Sequence, residues 1–264
     1  MIQRSFTAQE LICMARLRRK RKIYGIPDVF SAVPQEYRRT VMQNTYDTLL
    51  EKQIAVMDFD RKTTLSETYD TLVDFCCDCG KCLTVNNQRS ALTNTSYIFW
   101  QWIGTYQMAE VVEDQYVFSQ VDASAIKAFL ADVRYHSQDT GTFLDAVIPQ
   151  IALTRAKRAC KSGNDEDAIR ILRQNGAEER LARVITDGLH ESACYIDLMY
   201  MDNRKGVCQK TEKTYLSSRG AAFSLGETVV NLRSCVRFTE TDGGVVQSEI
   251  SDLVNAFLEE GQER

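Results

Sequence analysis

The chain carries only two histidines, His136 and His190, far apart in its 264 residues. A Ser–His or Cys–His nucleophile pair would have to use one of them, and no serine stands in a GxSxG frame. His136 follows a helical stretch and His190 ends one, positions where capping is the ordinary role. No glycine-rich phosphate loop is present: Asp242-Gly243-Gly244 reads as a simple turn, and Gly220 to Gly226 lacks the Lys-Ser/Thr ending. The acid pairs Glu113-Asp114 and Glu166-Asp167 read as turn and helix-start residues. No catalytic residues are assigned, and the chain is expected not to be an enzyme.

Long apolar runs are missing as well. None approaches the roughly 20 residues of a membrane helix, and Met1 to Lys22 has its basic run after its apolar residues, the reverse of a signal peptide. A cytoplasmic protein without membrane contact is expected. The net charge of −4 gives no general pull towards nucleic acid.

Cysteine, by contrast, is plentiful. Nine thiols, an odd number without a regular framework, fit a reducing compartment. The stretch Cys76-Cys77-Asp78-Cys79-Gly80-Lys81-Cys82 contains one CxxC, the spacing of zinc knuckles and thiol–disulfide oxidoreductases. A tetrahedral zinc site needs four ligands, and no second CxxC or nearby histidine completes the set. In a redox motif the second cysteine opens the following helix, whereas here a helix leads in and a strand, Lys81 to Val85, leads out. These cysteines, like Cys194 alternating with Ile196 and Leu198, read as buried structural thiols; no metal ligands and no cofactor are assigned.

The architecture is organised around Ser96 to Val133. Ile98, Trp100 and Trp102 share one side of a strand, Thr105 to Val112 and Gln115 to Val121 follow, and Glu113-Asp114 makes a two-residue hairpin turn. Asp122 then caps a helix with Ile126, Phe129, Leu130 and Val133 on one face. The order returns near the C-terminus: Ala222 to Leu225, a Gly226-Glu227 turn, Thr228 to Phe238, and a helix with Ile250, Leu253, Val254, Phe257 and Leu258. Ala128-Phe129-Leu130 and Ala256-Phe257-Leu258 are identical and lie 128 residues apart. The fold class expected is α+β, with two related halves, 1–140 and 141–264, each made of helices, an antiparallel strand block and a closing helix, sharing a mixed sheet.

Within the first half, Thr7 and Glu10 form a capping box, with Phe6 and Leu11 as hydrophobic staple. A second helix starts at Pro34, Ile54 to Phe59 and Thr63 to Leu65 form a short hairpin, and Thr64 with Glu67 suggests a capping box for a third helix bearing Tyr69, Leu72, Val73 and Cys76. Helix, helix, hairpin, helix over 1–85 is winged-helix-like. The helix before the hairpin carries Glu36, Asp47 and Glu51, which repel phosphate. The run Arg16-Leu17-Arg18-Arg19-Lys20-Arg21-Lys22 holds six bases in seven residues, yet cations are also favoured at a helix C-terminus. A nucleic-acid-binding regulator and a cysteine-based metal or redox protein are therefore the disfavoured alternatives. In the second half, Gly141 to Cys160 reads as a helix kinked or restarted at Pro149, Asn164 caps a short helix stopped at Asn175-Gly176, another helix carries Leu181, Val184, Ile185 and Leu189, and strands resume at Ala193.

The opening Phe6-Thr7-Ala8-Gln9-Glu10-Leu11, the segment Leu49-Leu50-Glu51-Lys52-Gln53-Ile54-Ala55-Val56-Met57-Asp58 leading to Leu65, and the two strand blocks each closed by a helix resemble the EspG-type proteins of type VII secretion. That resemblance implies a non-catalytic cytosolic chaperone or adaptor that binds a helical secreted substrate protein and covers its apolar tip. Trp100, Trp102 and Tyr106 are the aromatic anchors expected for such a partner; core packing is the competing role for the same side chains.

Overall fold

A computed structural model describes residues 5–60, 62–90, 93–131, 144–190, 193–204 and 207–259. Val133 and His136, singled out above, lie outside the described residues, as does the division between the two halves.

The first half runs β1 (Ser5–Thr7), α1 (Ala8–Leu17), α2 (Gln35–Glu51), β2 (Ala55–Met57), β3 (Thr63–Leu65), α3 (Glu67–Asp78), β4 (Lys81–Ser90), β5 (Thr93–Trp102), β6 (Thr105–Val112), β7 (Gln115–Val121) and α4 (Ala123–Ala131). The second runs β8 (Asp145–Pro149), α5 (Gln150–Lys161), α6 (Asp165–Gln174), α7 (Glu179–Leu189), β9 (Cys194–Asp202), β10 (Gln209–Ser218), β11 (Ala221–Val230), β12 (Arg233–Glu240) and α8 (Gly243–Leu258). Apart from the small β2–β3 hairpin, the order is the same: strand, three helices, four strands, helix.

All the other strands form one ten-stranded sheet in the order β1-β7-β6-β5-β4-β9-β10-β11-β12-β8. Each half lays its short first strand against its last, and the halves join where β4 pairs with β9 from Lys81↔Asp202 to Gln88↔Tyr195. The sheet is antiparallel at every pairing, not mixed. The reason is the connectivity: β4 to β7 and β9 to β12 are successive hairpins, which can only pair antiparallel.

The sheet's two faces carry different helices. Leu83, Val85, Phe99, Ile196, Leu198 and Tyr215 point to the face covered by α4 and α8, where Ile126, Leu130, Val246, Ile250 and Phe257 complete one cluster across both halves. On the other face, α1 to α3 bury Cys82, Ile98, Trp100 and Phe118, while α5 to α7 bury Leu216, Phe223 and Phe238. The alternation of neighbours such as Cys82 and Leu83 between these clusters is the period of a strand buried on both sides.

Local rules account for the helix ends. The Thr7–Glu10 capping box is complete, with the Thr7 N–H donating to Glu10 Oε2 at 2.8 Å and the Glu10 N–H donating to Thr7 Oγ1 at 3.1 Å. Asp122 and Asp242 accept from the N–H groups of Ala125 and Val245, at 2.7 and 2.9 Å. These two caps fix the correspondence between α4 and α8: Ile126 matches Val246, both fully buried, and Leu130 matches Ile250, at 3% and 1% exposure. In that register the identical tripeptides fall two helical turns apart. Phe129 is 37% exposed and Phe257 fully buried, so the shared letters are not equivalent positions and the likeness of the halves rests on element order.

Three sequence expectations are corrected. Gly226-Glu227 is not a turn: β11 runs through it to Val230, and the reversal is Asn231-Leu232, between Val230 and Arg233. Gly226 lies where β11 leaves β10, whose last pair is Thr214↔Leu225. The helix starts after Pro149, as the restart reading has it, but the residues before it are strand, not helix: Pro149 ends β8 and precedes α5. A residue without an N–H is tolerated in an edge strand, and its φ of −60° with ψ of 136° serves as the helix N-cap. Thr64 lies in β3 opposite Val56, so Ser66 is the N-cap of α3. Segment 1–85 has the expected helix, helix, hairpin, helix order and is built into the first half: β4 is a central strand, and α1 to α3 share one core with β5 to β7.

Lys81 ties the centre of the sheet to the end of α8. Its side chain is fully buried, and Nζ donates to the carbonyl oxygens of Ala256, Phe257 and Glu259 at 2.5, 3.2 and 2.5 Å. A helix C-terminus leaves such carbonyls unsatisfied and partly negative. Lys81→Met should lower stability by about 2–3 kcal/mol, the scale for hydrogen bonds to a charged group. Chemical denaturation measures the loss, and hydrogen exchange should show the last turn of α8 losing protection first.

Candidate interaction surface

The three candidate anchors occupy different environments. Trp100 is fully buried, stacked on Phe118 with centroids 5.5 Å apart and planes at 9°, and its Nε1–H donates to the Tyr24 carbonyl at 2.8 Å. Tyr106 is 8% exposed and packs on Phe257. Both fill the core, on opposite faces of the sheet, because β5 and β6 are covered on both sides. Trp102 differs: it ends β5, meets Phe75 edge-on at 5.9 Å and is only half-buried.

Trp102 belongs to an end of the sheet with an unusual composition. Four two-residue hairpin turns have positive φ at both positions: Ile103-Gly104 (47°, 70°), Glu113-Asp114 (48°, 63°), Arg219-Gly220 (54°, 75°) and Asn231-Leu232 (49°, 61°). This is the type I′ geometry that suits the strand twist, and it favours Asn, Asp and Gly. The strand directions place Glu113-Asp114 and Arg219-Gly220 at one end of the sheet and Ile103-Gly104 and Asn231-Leu232 at the other. The first end is charged; the second presents Ile103 at 76% exposure and Leu232 at 99%.

An L-residue in the left-handed region costs roughly 1–2 kcal/mol, and a β-branched one is an outlier there. Folding does not require Ile103 or Leu232, since neither side chain is buried. Exposed Val207 (72%), Val229 (69%) and Val230 (43%) lie at the same end. Beyond Leu225, β11 leaves β10, which continues against β9 alone; β12 stays paired with β8 as far as Cys235, so the free two-stranded tip is Val229-Val230 with Arg233-Ser234. An apolar, strained sheet end fits contact with another molecule better than it fits the fold. The sequence cue was apolar residues in two-residue turns, hidden at Leu232 by the Gly226-Glu227 decoy.

Beneath this end, Asp202 accepts from Arg204 Nη2 at 2.7 Å and from the Arg204 N–H at 3.1 Å. The Arg204 side chain is the main cause that holds the Asp202 carboxyl down to about 2. Four of the six bases of the basic run, Arg16, Arg18, Lys20 and Lys22, are engaged internally. Arg18 meets Asp70 at 3.1 Å and Asp74 at 2.5 Å, and Lys20 meets Asp74 at 3.4 Å and also pairs with Asp78. Asp70, Asp74 and Asp78 form an acidic stripe at helical spacing on α3. Arg16 lies over Phe30 and Lys22 over Tyr24. The pairs with α3 draw Arg18 and Lys20 away from an incoming phosphate.

Cys76, Cys77, Cys79 and Cys82 are buried. Burial pushes Cys77 and Cys79 up to about 12, and Cys76 and Cys82 well above the ordinary thiol value. A redox cysteine needs the opposite shift. In the second half a cleft of about 910 Å³ lies between α6 and α7, lined by Ile169, Arg170, Arg173, Glu178, Glu179 and Arg183 among others. Arg173 and Arg183 both pair with Glu179 there, at 2.8 and 2.7 Å.

No protein-family pattern matches the sequence, and no curated protein is similar to it in sequence. Among solved structures, the chain is similar to the type VII secretion system chaperone EspG5 of Mycobacterium tuberculosis, determined in complex with a PE25–PPE41 dimer. The two share 12% sequence identity, with 98% of each chain covered and a TM-score of 0.50. At that identity the likeness speaks for the fold, which here is the α+β architecture with a large antiparallel sheet. No helix among the described residues is long and apolar enough to cross a membrane.

Two solution measurements follow from these environments. Under native conditions alkylation should label exposed Cys208 first and leave Cys76, Cys77, Cys79 and Cys82 unlabelled until the protein unfolds. Asp202, its folded value depressed, adds stability that is fully present above the ordinary carboxylate value of roughly 3.9 and lost as pH falls through about 2. Asp202→Asn should therefore flatten the acid limb of the stability–pH curve in that window.

Proposed function

We propose that this protein is a non-catalytic cytoplasmic chaperone or adaptor that binds a helical substrate protein of a type VII secretion system. The observation that carries this reading is the likeness to EspG5 over 98% of both chains. The halves 1–140 and 141–264 are read as two copies of one unit, which together frame a wide sheet with two different ends.

The contact surface is assigned to the apolar sheet end, with Trp102, Ile103, Val229, Val230 and Leu232 as contact residues. Half-buried Trp102 supplies a rigid aromatic flank, as interface cores favour. The exposed aliphatic tips suit the apolar stripe of an amphipathic helix. Trp100 and Tyr106 contribute indirectly, by holding β5 and β6 in place.

The test separates binding from folding. Ile103→Gly and Leu232→Gly relieve the left-handed strain, so each should hold or raise stability, by about 1 kcal/mol. Each should also weaken capture of a co-expressed type VII substrate protein by tenfold or more. Variants that are as stable as the parent and bind the substrate equally well would refute the assigned surface. Failure of the parent chain to form any salt-resistant complex with such substrates would refute the function.

A further inference from the structure

We propose that Cys160, Asp165 and His190 form a binding site for a zinc ion that staples the ends of α5, α6 and α7. Their ligand atoms, one each of thiol sulfur, carboxylate oxygen and imidazole nitrogen, all lie within 4.8 Å of one another, and among the described residues they are the one such group. These are the three donor types zinc accepts, and the sulfur disfavours calcium and magnesium.

Three separate elements build the cluster. Cys160 lies in the last turn of α5 and is 4% exposed, the floor of the site. Gly163, at a φ of +75°, allows the short turn that brings Asp165 to the start of α6. His190 is the C-cap of α7, its N–H donating to the Thr186 carbonyl at 3.1 Å. The side chains of Asp165 and His190 stay 53% and 38% exposed, so they can rotate and a fourth coordination position opens to water.

His190 Nε2 and Asp165 Oδ1 are now 2.6 Å apart and share a hydrogen bond. Zinc bond lengths at tetrahedral angles place donor atoms about 3.2–3.7 Å apart, so the site needs shifts of about 1 Å. On binding, His190 presents Nε2 as a lone pair and keeps its one ring proton on Nδ1, Asp165 turns its carboxylate oxygen to the cation, and the Cys160 thiol proton is released to solvent. The partly negative C-termini of α5 and α7 both meet here, which favours a cation.

The other half offers a comparison. There the C-terminal end of α1, the helix that matches α5, is held along the length of α3 by Arg18 and Lys20 against Asp70, Asp74 and Asp78. Among the described residues no ion pair ties the end of α5 to the end of α7; Asp187 in the last turn of α7 pairs instead with Arg219 of the β10–β11 turn, at 2.7 Å. A zinc ion would do the same work with a different chemistry, and this holds whether or not the protein is a chaperone.

The experiment uses the full chain, reduced and stripped of metal, titrated with Zn²⁺ and with Co²⁺, whose thiolate charge-transfer absorption reports sulfur ligation. One equivalent should bind, and Zn²⁺ should raise the thermal midpoint. Cys160→Ser should abolish the charge-transfer band, and His190→Gln, at an exposed site that folding does not need, should weaken binding at least tenfold. Cys208→Ser, the exposed control, should change neither. A missing band in the parent, a band that survives Cys160→Ser, or equal affinity in His190→Gln would each overturn the proposal.

Discussion

The pairing of β4 with β9 is the constraint on which the rest of the molecule depends. Eight consecutive Cα partners, Lys81↔Asp202 to Gln88↔Tyr195, turn two strand blocks into a single sheet. Neither strand has a free edge, so both must be apolar on both faces except where a polar group is fully engaged. That requirement explains the alternation of Cys82 and Leu83 between two cores and the buried Lys81. A lysine is tolerated there because three carbonyls at the end of α8 receive its ammonium group. One side chain thereby registers the join between the halves and fixes the helix that covers it.

From that centre the two faces diverge in character. The α4/α8 face is one continuous hydrophobic cluster, while the opposite face is divided into two, one per half. Stability is therefore shared between halves on one side and local to each half on the other. The sheet ends diverge too. One has Glu113-Asp114 and Arg219-Gly220 in its hairpin turns, polar side chains that water solvates; the other has Ile103 and Leu232, apolar and exposed, in the same geometry. Residues that lower stability without packing against anything point to a use outside the fold.

Much of this was legible in the chain. The Thr7–Glu10 box, the Asp122 cap, the Asn164 cap and the Glu113-Asp114 turn depend on contacts within four residues, and each formed as read. The repeated order of helices, strands and closing helix was visible because a hydrophobic period survives even when letters diverge. The reading failed where the deciding partner was remote. The residues before Pro149 looked helical because the strand they pair with lies far away, Cys235 opposite Pro149 being 86 residues on. Gly226-Glu227 looked like a turn because nothing local shows that β11 parts from β10. For Trp100 and Tyr106 the sequence left anchor and core as competing roles, because a half-buried strand and a fully buried one share the same period of two.

The sequence by itself determined the element types, most of the caps and the likeness of the two halves, all of which follow from short-range periodicity and hydrogen bonding. Tertiary structure alone decided which ends of which hairpins coincide, and so gathered Trp102, Ile103 and Leu232 at one end of the sheet. It also brought Cys160 and Asp165, five residues apart, to His190, twenty-five residues further on. Such meetings depend on strand direction and helix packing across the whole sheet, and no window of neighbouring residues encodes them.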